Sequence, residues 1–350
     1  MPSTNNTVLR YKRDIGNQSS YIGGILTSKN NSSISNQVAG VDGAYSTSRF
    51  MKNKNLVIGS FITKSFDKNT NNNGSYAWRI FADYPNDLID NFMAVGSIEQ
   101  NYNPELGFID RKNVDIYTWY FRFTPRWFTN LGIRKMSFKP WAFRIYKTNT
   151  TGELESFYNE SRPLGFFTKS GERFEYNIQN QYERLDESFA LTDSISIPAG
   201  KYWMLRQELQ AGTFEGRRVW AEASYNWGEF YSGHISTLET SLGINASRHL
   251  NFRTDYIYND IKTPQGNTVT NELAEYINYA FNPKLDLSFF IQWNSLDDLL
   301  FGNLRLHWIP RVGEDLYVVY NRGYDKLQSL KLSEPSSQSA AVKLVWRFVF

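Results

Sequence analysis

The feature that most constrains this chain is a two-residue alternation of apolar and polar side chains, repeated through its C-terminal half. From Val219 the apolar positions are Val219, Ala221, Ala223, Tyr225 and Trp227, interleaved with Glu222, Ser224 and Asn226. Leu238, Leu242, Ile244 and Ala246 alternate with Glu239, Ser241, Gly243 and Asn245, and Leu250, Phe252, Tyr256 and Tyr258 with Asn251, Arg253, Asp255 and Asn259. Leu285, Leu287, Phe289, Ile291 and Trp293 oppose Asp286, Ser288 and Gln292, and Leu304, Leu306 and Trp308 oppose Asn303, Arg305 and His307. The last segment sets Val342, Leu344, Trp346, Phe348 and Phe350 against Lys343 and Arg347, with Val345 and Val349 interrupting. Successive side chains of a strand face opposite ways, so each segment is expected to be a strand with one apolar and one polar face.

The connections alternate as well. Ser247–His249, Asn282–Lys284 and Pro310–Glu314 read as short turns, Lys262–Asn267 and Tyr324–Ser337 as longer polar connections, and Asp297-Asp298 as a further short turn. Short turns at one rim and longer loops at the other characterise transmembrane barrels. In the N-terminal half, strands are expected over Val8–Asp14, Tyr21–Ser28, Val38–Arg49, Leu56–Phe66, Tyr76–Tyr84, Phe92–Asn101, Val114–Thr124, Leu131–Phe138, Trp141–Asn149 and Phe174–Arg184, with polar connections at Ser28–Asn36 and Asn69–Gly74. Pro104, Pro125, Pro163, Pro198, Pro264, Pro283, Pro310 and Pro335 are placed at breaks, because proline lacks the ladder donor. No stretch has a helical period, and roughly 16–20 strands are expected in one antiparallel region.

A soluble sandwich also alternates, but it buries its apolar faces between two sheets. In hydrocarbon the backbone must be satisfied internally, which a closed antiparallel barrel achieves. The aromatic fraction of 16%, with Tyr and Trp near strand ends, favours the barrel. Met1–Asn6 is polar, no leader-like apolar stretch follows, and no run is long and apolar enough for a spanning helix. The expected fold is therefore all-β: an antiparallel transmembrane β-barrel, as an N-terminally truncated portion of a larger barrel that is exported as a fuller product to the bacterial outer membrane.

The segments Val8–Asp14, Val38–Asp42, Tyr182–Glu187, Ile197–Tyr202, Gly228–His234, Asn282–Leu285, Asn303–Trp308 and Gly313–Asn321 together resemble the C-terminal barrel region of bacterial proteins carrying the DUF5916 domain, termed carbohydrate-binding family 9 domain-containing proteins. The resemblance covers nearly the whole chain and implies one barrel region over residues 1–350 with no separate soluble domain. It implies an exported protein whose lectin-like N-terminal domain, signal peptide and first strands precede the part seen here. The carbohydrate connection belongs by analogy to that absent domain.

Chemistry leaves little trace. There is no cysteine, and the net charge of +3 is spread without a basic run, which excludes thiolate chemistry and argues against nucleic acid. His234 and His249 are expected in connections and His307 on the polar face, without metal-ligand spacing. Glu183, Asp186 and Glu187 beside Arg184, and Asp297 with Asp298, read as rim ion networks and turn tips rather than as an acid/base pair. No catalytic, cofactor-binding or metal residue is assigned, and no cofactor is expected. Glu175, Glu183, Glu222, Glu239, Arg253, Arg305, Lys343 and Arg347 are expected to face the lumen. The expected function is structural or conduit, non-enzymatic, with outer-membrane lipid as a partner. A glycan or small solute, or a plug, secretion or periplasmic protein, is left open as a second partner. The alternatives are an outer-membrane protein that binds or processes glycans and a soluble β-sandwich binding module.

Overall fold

The computed structural model describes residues 3–68, 74–325 and 334–347. Its strands begin with β1 (Asn5–Ile15), β2 (Asn17–Asn30), β3 (Ser35–Phe50), β4 (Lys54–Asp67), β5 (Ser75–Pro85), β6 (Ile89–Ile98) and β7 (Val114–Phe123). They continue with β8 (Ile133–Met136), β9 (Phe138–Thr148), β10 (Leu154–Thr168), β11 (Arg173–Leu185), β12 (Phe189–Ala190), β13 (Ser196–Ile197), β14 (Gly200–Gly212) and β15 (Val219–Phe230). The last are β16 (Gly233–Asn245), β17 (Leu250–Thr263), β18 (Gly266–Asn282), β19 (Leu285–Asn294), β20 (Leu299–Trp308), β21 (Asp315–Asp325) and β22 (Ser337–Val345). Twenty of these form one sheet, and β12 pairs only with β13. Each wall strand pairs antiparallel with the next, and β8 and β9 follow one another along β10. The wall is thus an up-and-down meander of the kind an outer-membrane barrel requires.

The registers sort the side chains onto two faces. Phe289 lies beside Ile277 and Leu304, and Leu304 beside Tyr320, on one face of β18–β21. These apolar side chains stay uncovered: Leu304 is 41% exposed, Trp308 45%, Leu242 57% and Val342 71%. A sandwich would have packed them against a second sheet, so the soluble-sandwich alternative fails on geometry. The other face is concave. Arg10 of β1 reaches Asp42 of β3 at 2.5 and 2.8 Å over the top of β2. Asn226 of β15 likewise reaches Gln179 of β11 across β14 at 3.2 Å. Side chains two strands apart meet only where the sheet curls toward them. Gly23 makes the first contact possible, because a Cβ there would stand 2.9 Å from the Arg10 guanidinium.

With β8 and β9 sharing one position, the wall has an odd number of strand positions, so β1 and β22 run in the same direction. Among the described residues neither outer edge is paired, and both strands are exposed along their lengths.

Several expectations are corrected. Lys262–Asn267 is not a longer connection: β17 and β18 stay paired to Thr263 and Gly266, leaving Pro264-Gln265 as a two-residue turn. Proline presets the turn's φ, and Gly266 takes φ 150°. Ser28–Asn36 shrinks for the same reason to a turn at 31–34, since Asn30 pairs with Ser35. Leu131–Phe138 is not one strand, for a 3₁₀ turn (Thr129–Leu131) precedes β8, and Ser137 separates β8 from β9. Pro163 is not at a break. It lies inside β10 at a bulge between Ser161 and Leu164, where no ladder donor is needed. His234 is in β16 rather than in a connection. The final strand ends at Val345, and Phe348 and Phe350 lie outside the described residues, as do 69–73 of the Asn-rich tip and 326–333 of the Tyr324–Ser337 connection.

The longest connections share one end of the wall, although that end also carries the two-residue turns 231–232 and 264–265. The connections after β1, β3, β5, β7, β10, β14, β16, β18 and β20 fall at the other end, and the rest, including residues 99–113 and 186–199, at the long-loop end. In the short-turn rim, the Ser170 and Thr168 hydroxyls donate to the Glu172 carboxylate, which also faces Arg217. These bonds hold its pKa down to about 2. A lowered pKa contributes stability that is complete above the ordinary carboxylate value of about 4.3 and is lost as the pH falls toward 2. NMR titration of Glu172 is expected to give a midpoint near 2, and the Thr168→Val/Ser170→Ala variant a midpoint raised toward about 4.3. Identical midpoints in the two proteins would show that the hydroxyls do not hold the carboxylate.

Candidate functional site

Four of the most deeply buried side chains, Ile197, Val114, Asn36 and Ser65, lie beneath or beside the two long loops, while Ser20, Ser137 and Asn177 are buried elsewhere along the wall. Residues 99–113 leave β6 and return to β7, yet they are tied far to either side. On one side Lys29 of β2 donates to Glu105 at 3.0 Å. Asn36 of β3 donates to the Asn103 carbonyl at 2.8 Å and accepts from the Glu105 amide at 3.3 Å. The Asn103 amide donates to Ser65 Oγ of β4, and the Tyr102 hydroxyl meets Thr63 at 2.9 Å. On the other side Arg111 donates to Glu155 of β10 at 3.1 Å and to Glu183 of β11 at 2.7 Å, with its guanidinium over the Tyr146 ring. One loop thus straps the concave face from β2 to β11. Hydrogen bonds from Lys29 and Asn103 hold the Glu105 carboxyl below its ordinary range, so this anchor weakens as pH falls.

Residues 186–199 continue the cover. The β12–β13 hairpin leans over the β15–β16 and β17–β18 turns, burying Ile195 against Gly266 and stacking Phe189 edge-on to Tyr231. Its tip and the β19–β20 turn line a shallow depression that includes Asp193, Thr268 and Asp297. Together the two loops roof the long-loop end of the concave space.

Below the roof the concave face is polar. The registers put Glu175, Glu183, Glu222, Glu239, Arg253, Arg305 and Lys343 on this one face. Arg347 follows β22 and sits beside Gly313. Opposite charges meet: Glu175 with Arg162 at 2.5 Å, Glu222 with Arg173, Arg253 with Asp255 at 2.6 Å. Around Arg162 a compact group forms, in which Lys139 meets Glu160, Asn177 donates to Glu208 at 2.9 Å, and Ser224 donates to the same carboxylate at 3.2 Å. The sequence reading missed Lys139, Glu160 and Arg162. The repeated pattern Lys139-Pro140 and Arg162-Pro163 was the available signal, each pair flanking a register shift that turns the basic side chain inward.

The acidic groups singled out from sequence are dispersed into rim contacts. Glu183 is bound by Arg111, Asp186 pairs with Arg184 at 3.1 Å, and Asp297 and Asp298 occupy the β19–β20 turn. His249 contacts the Ala280 carbonyl at 2.7 Å, while His307 faces Asp315 at 2.9 Å and stacks on Tyr317. Among the described residues no His, Asp and Glu group has the arrangement of a metal site, and no helix is long and apolar enough to cross a membrane, which says nothing of strands.

Among solved structures, the ferric-catecholate import receptor Fiu of E. coli K12, in its open form, matches with a TM-score of 0.54 at 8% identity, covering 91% of this chain and 68% of that one. OmpF of Salmonella typhi, in complex with daunomycin, matches at 11% identity over 84% of this chain and 90% of that one, with a TM-score of 0.38 that adds no weight. The fold is that of the outer-membrane β-barrels. No family model matches the chain and no curated protein matches it, so the DUF5916 resemblance stands without a matching model.

Proposed function

We propose that this chain is the wall of an outer-membrane barrel that serves as a roofed conduit rather than as an enzyme. The observation that carries the reading is a single antiparallel sheet whose exposed face is apolar and whose concave face is charged. Lipid takes the first face and water and solute the second. The DUF5916 resemblance agrees with this reading, and no sugar is assigned to the residues described. Parallel outer edges call for an odd number of added strands to close the wall antiparallel.

Arginine on a lipid face costs about 2–4 kcal/mol at the bilayer midplane, while lumen positions tolerate charge. Leu304→Arg is therefore expected to cut the fraction that folds into vesicles by at least about tenfold, as about 1.4 kcal/mol corresponds to tenfold. Gln292→Arg, on the concave face of β19, is expected to fold as the parent does. Protease protection in the vesicles reads both. Equal folding of the two variants would reject the lipid-facing assignment.

A further inference from the structure

The ion pairs of the concave face leave several arginines out, Arg206 of β14 and Arg305 of β20 among them, and two of these arginines share a cavity. Arg79 of β5 and Arg144 of β9 line one cavity of about 220 Å³, together with Phe61, Ile116, Thr118 and Tyr146. Neither makes an ion pair or a side-chain hydrogen bond to another described residue, although Arg79 lies 5.4 Å from the centre of the Phe92 ring. Their neighbours differ: Arg111 holds two carboxylates, Arg122 holds Asp90 at 2.7 Å, and Arg162 holds Glu175. The acids nearby are engaged, Asp42 by Arg10, Asp90 by Arg122 and Glu160 by Lys139, and Asp83 stands four positions farther along β5 toward the short-turn rim. Arg144 also borders a second depression of about 430 Å³ with Tyr146 and Tyr158, so the two spaces adjoin through it.

Two like charges turned into one cavity repel each other, and that repulsion is relieved by an anion. Guanidinium groups match the planar, two-oxygen edge of carboxylate and phosphate, and aromatic walls keep water from competing. We infer that Arg79 and Arg144 form a binding site on the concave wall for small anionic solutes bearing carboxylate or phosphate groups. The inference deepens the conduit reading by naming a solute class, and it rests on the concave face being open to solute.

The test measures binding directly on the folded chain in detergent, so it fails separately from any failure of transport. Pyrophosphate and citrate are titrated calorimetrically at low salt, with benzyltrimethylammonium as the cationic control. Saturable one-to-one binding of at least one of the two anions, and none of the cation, is expected. Arg79→Gln and Arg144→Gln are each expected to weaken it about tenfold, as loss of one charged hydrogen-bonding partner does. Arg305→Gln, on the same face but outside the cavity, is expected to leave it unchanged. Phenylglyoxal labelling of the unaltered protein needs no variant: the bound anion is expected to protect Arg79 and Arg144 selectively. No anion binding, equal loss in Arg305→Gln, or labelling of the two arginines unaffected by anion would each overturn the site.

Discussion

Replacing Arg111 with alanine is expected to free the β7 end of the strap formed by residues 99–113 while leaving its β6 end in place. Arg111 is the one side chain of that loop that neutralises two carboxylates, Glu155 at 3.1 Å and Glu183 at 2.7 Å. Its side chain is 30% exposed, so the pairs are only partly screened by water. A hydrogen bond to a charged group contributes about 1.5–3 kcal/mol, and the alanine variant loses two while leaving two acids without their shared cation. Hydrogen exchange of the amides in 106–113 is expected to quicken by about tenfold to a hundredfold, because about 1.4 kcal/mol corresponds to tenfold in the opening equilibrium.

The opposite anchor answers differently. Asn36 is 2% exposed and uses both its amide nitrogen and its oxygen on the loop backbone. Asn36→Ala strands the Asn103 carbonyl and the Glu105 amide, at about 1–3 kcal/mol for each buried group. Exchange is then expected to rise in 99–105 and much less in 106–113. On the proposed conduit reading, Arg111→Ala is also expected to raise the conductance of the reconstituted protein. Uniform exchange across the loop in either variant would mean that the strap moves as one body, and the two-anchor description would fail.

How much of this was legible follows from where the information sits. β15–β17, β19 and β20 alternate cleanly, because one face meets an apolar environment and the other a polar one, so composition alone sets their phase. That phase correctly put Glu222, Glu239, Arg253, Arg305 and His307 on one face. β10 was hidden because Asn159, Glu160, Ser161 and Arg162 are polar in succession, and a bulge rotates the strand just where alternation would be read. The roof was hidden for another reason. Glu105 finds Lys29 across 76 residues, and Arg111 finds Glu183 across 72. A loop whose partners are that remote carries no local signature of where it folds. The arginine cavity is a case of the same kind, since Arg79 and Arg144 are brought to one cavity only by the order of β5, β6, β7 and β9.

The largest expected effect on stability lies in the charged group at the bulge. Arg162 is 12% exposed and reaches Glu175 at 2.5 Å, Asn177 Oδ1 at 2.9 Å and Ser137 Oγ at 3.2 Å. Glu175 is itself 8% exposed, and Asn177 is 1% exposed. Removing one member of a buried pair costs about 3–5 kcal/mol, because the remaining charge keeps its desolvation cost and loses its compensation. Arg162→Met keeps the aliphatic bulk but leaves Glu175 without its closest cation, while Glu160 keeps Lys139 and the Tyr158 hydroxyl. Urea unfolding in lipid, followed by tryptophan fluorescence, is expected to show a loss of that size. Adding Glu175→Gln to Arg162→Met is expected to restore part of it, since the orphaned charge is then gone. That recovery separates a buried network from a solvated one: in a solvated network Arg162→Met would lose less than about 1 kcal/mol, and the second substitution would change nothing.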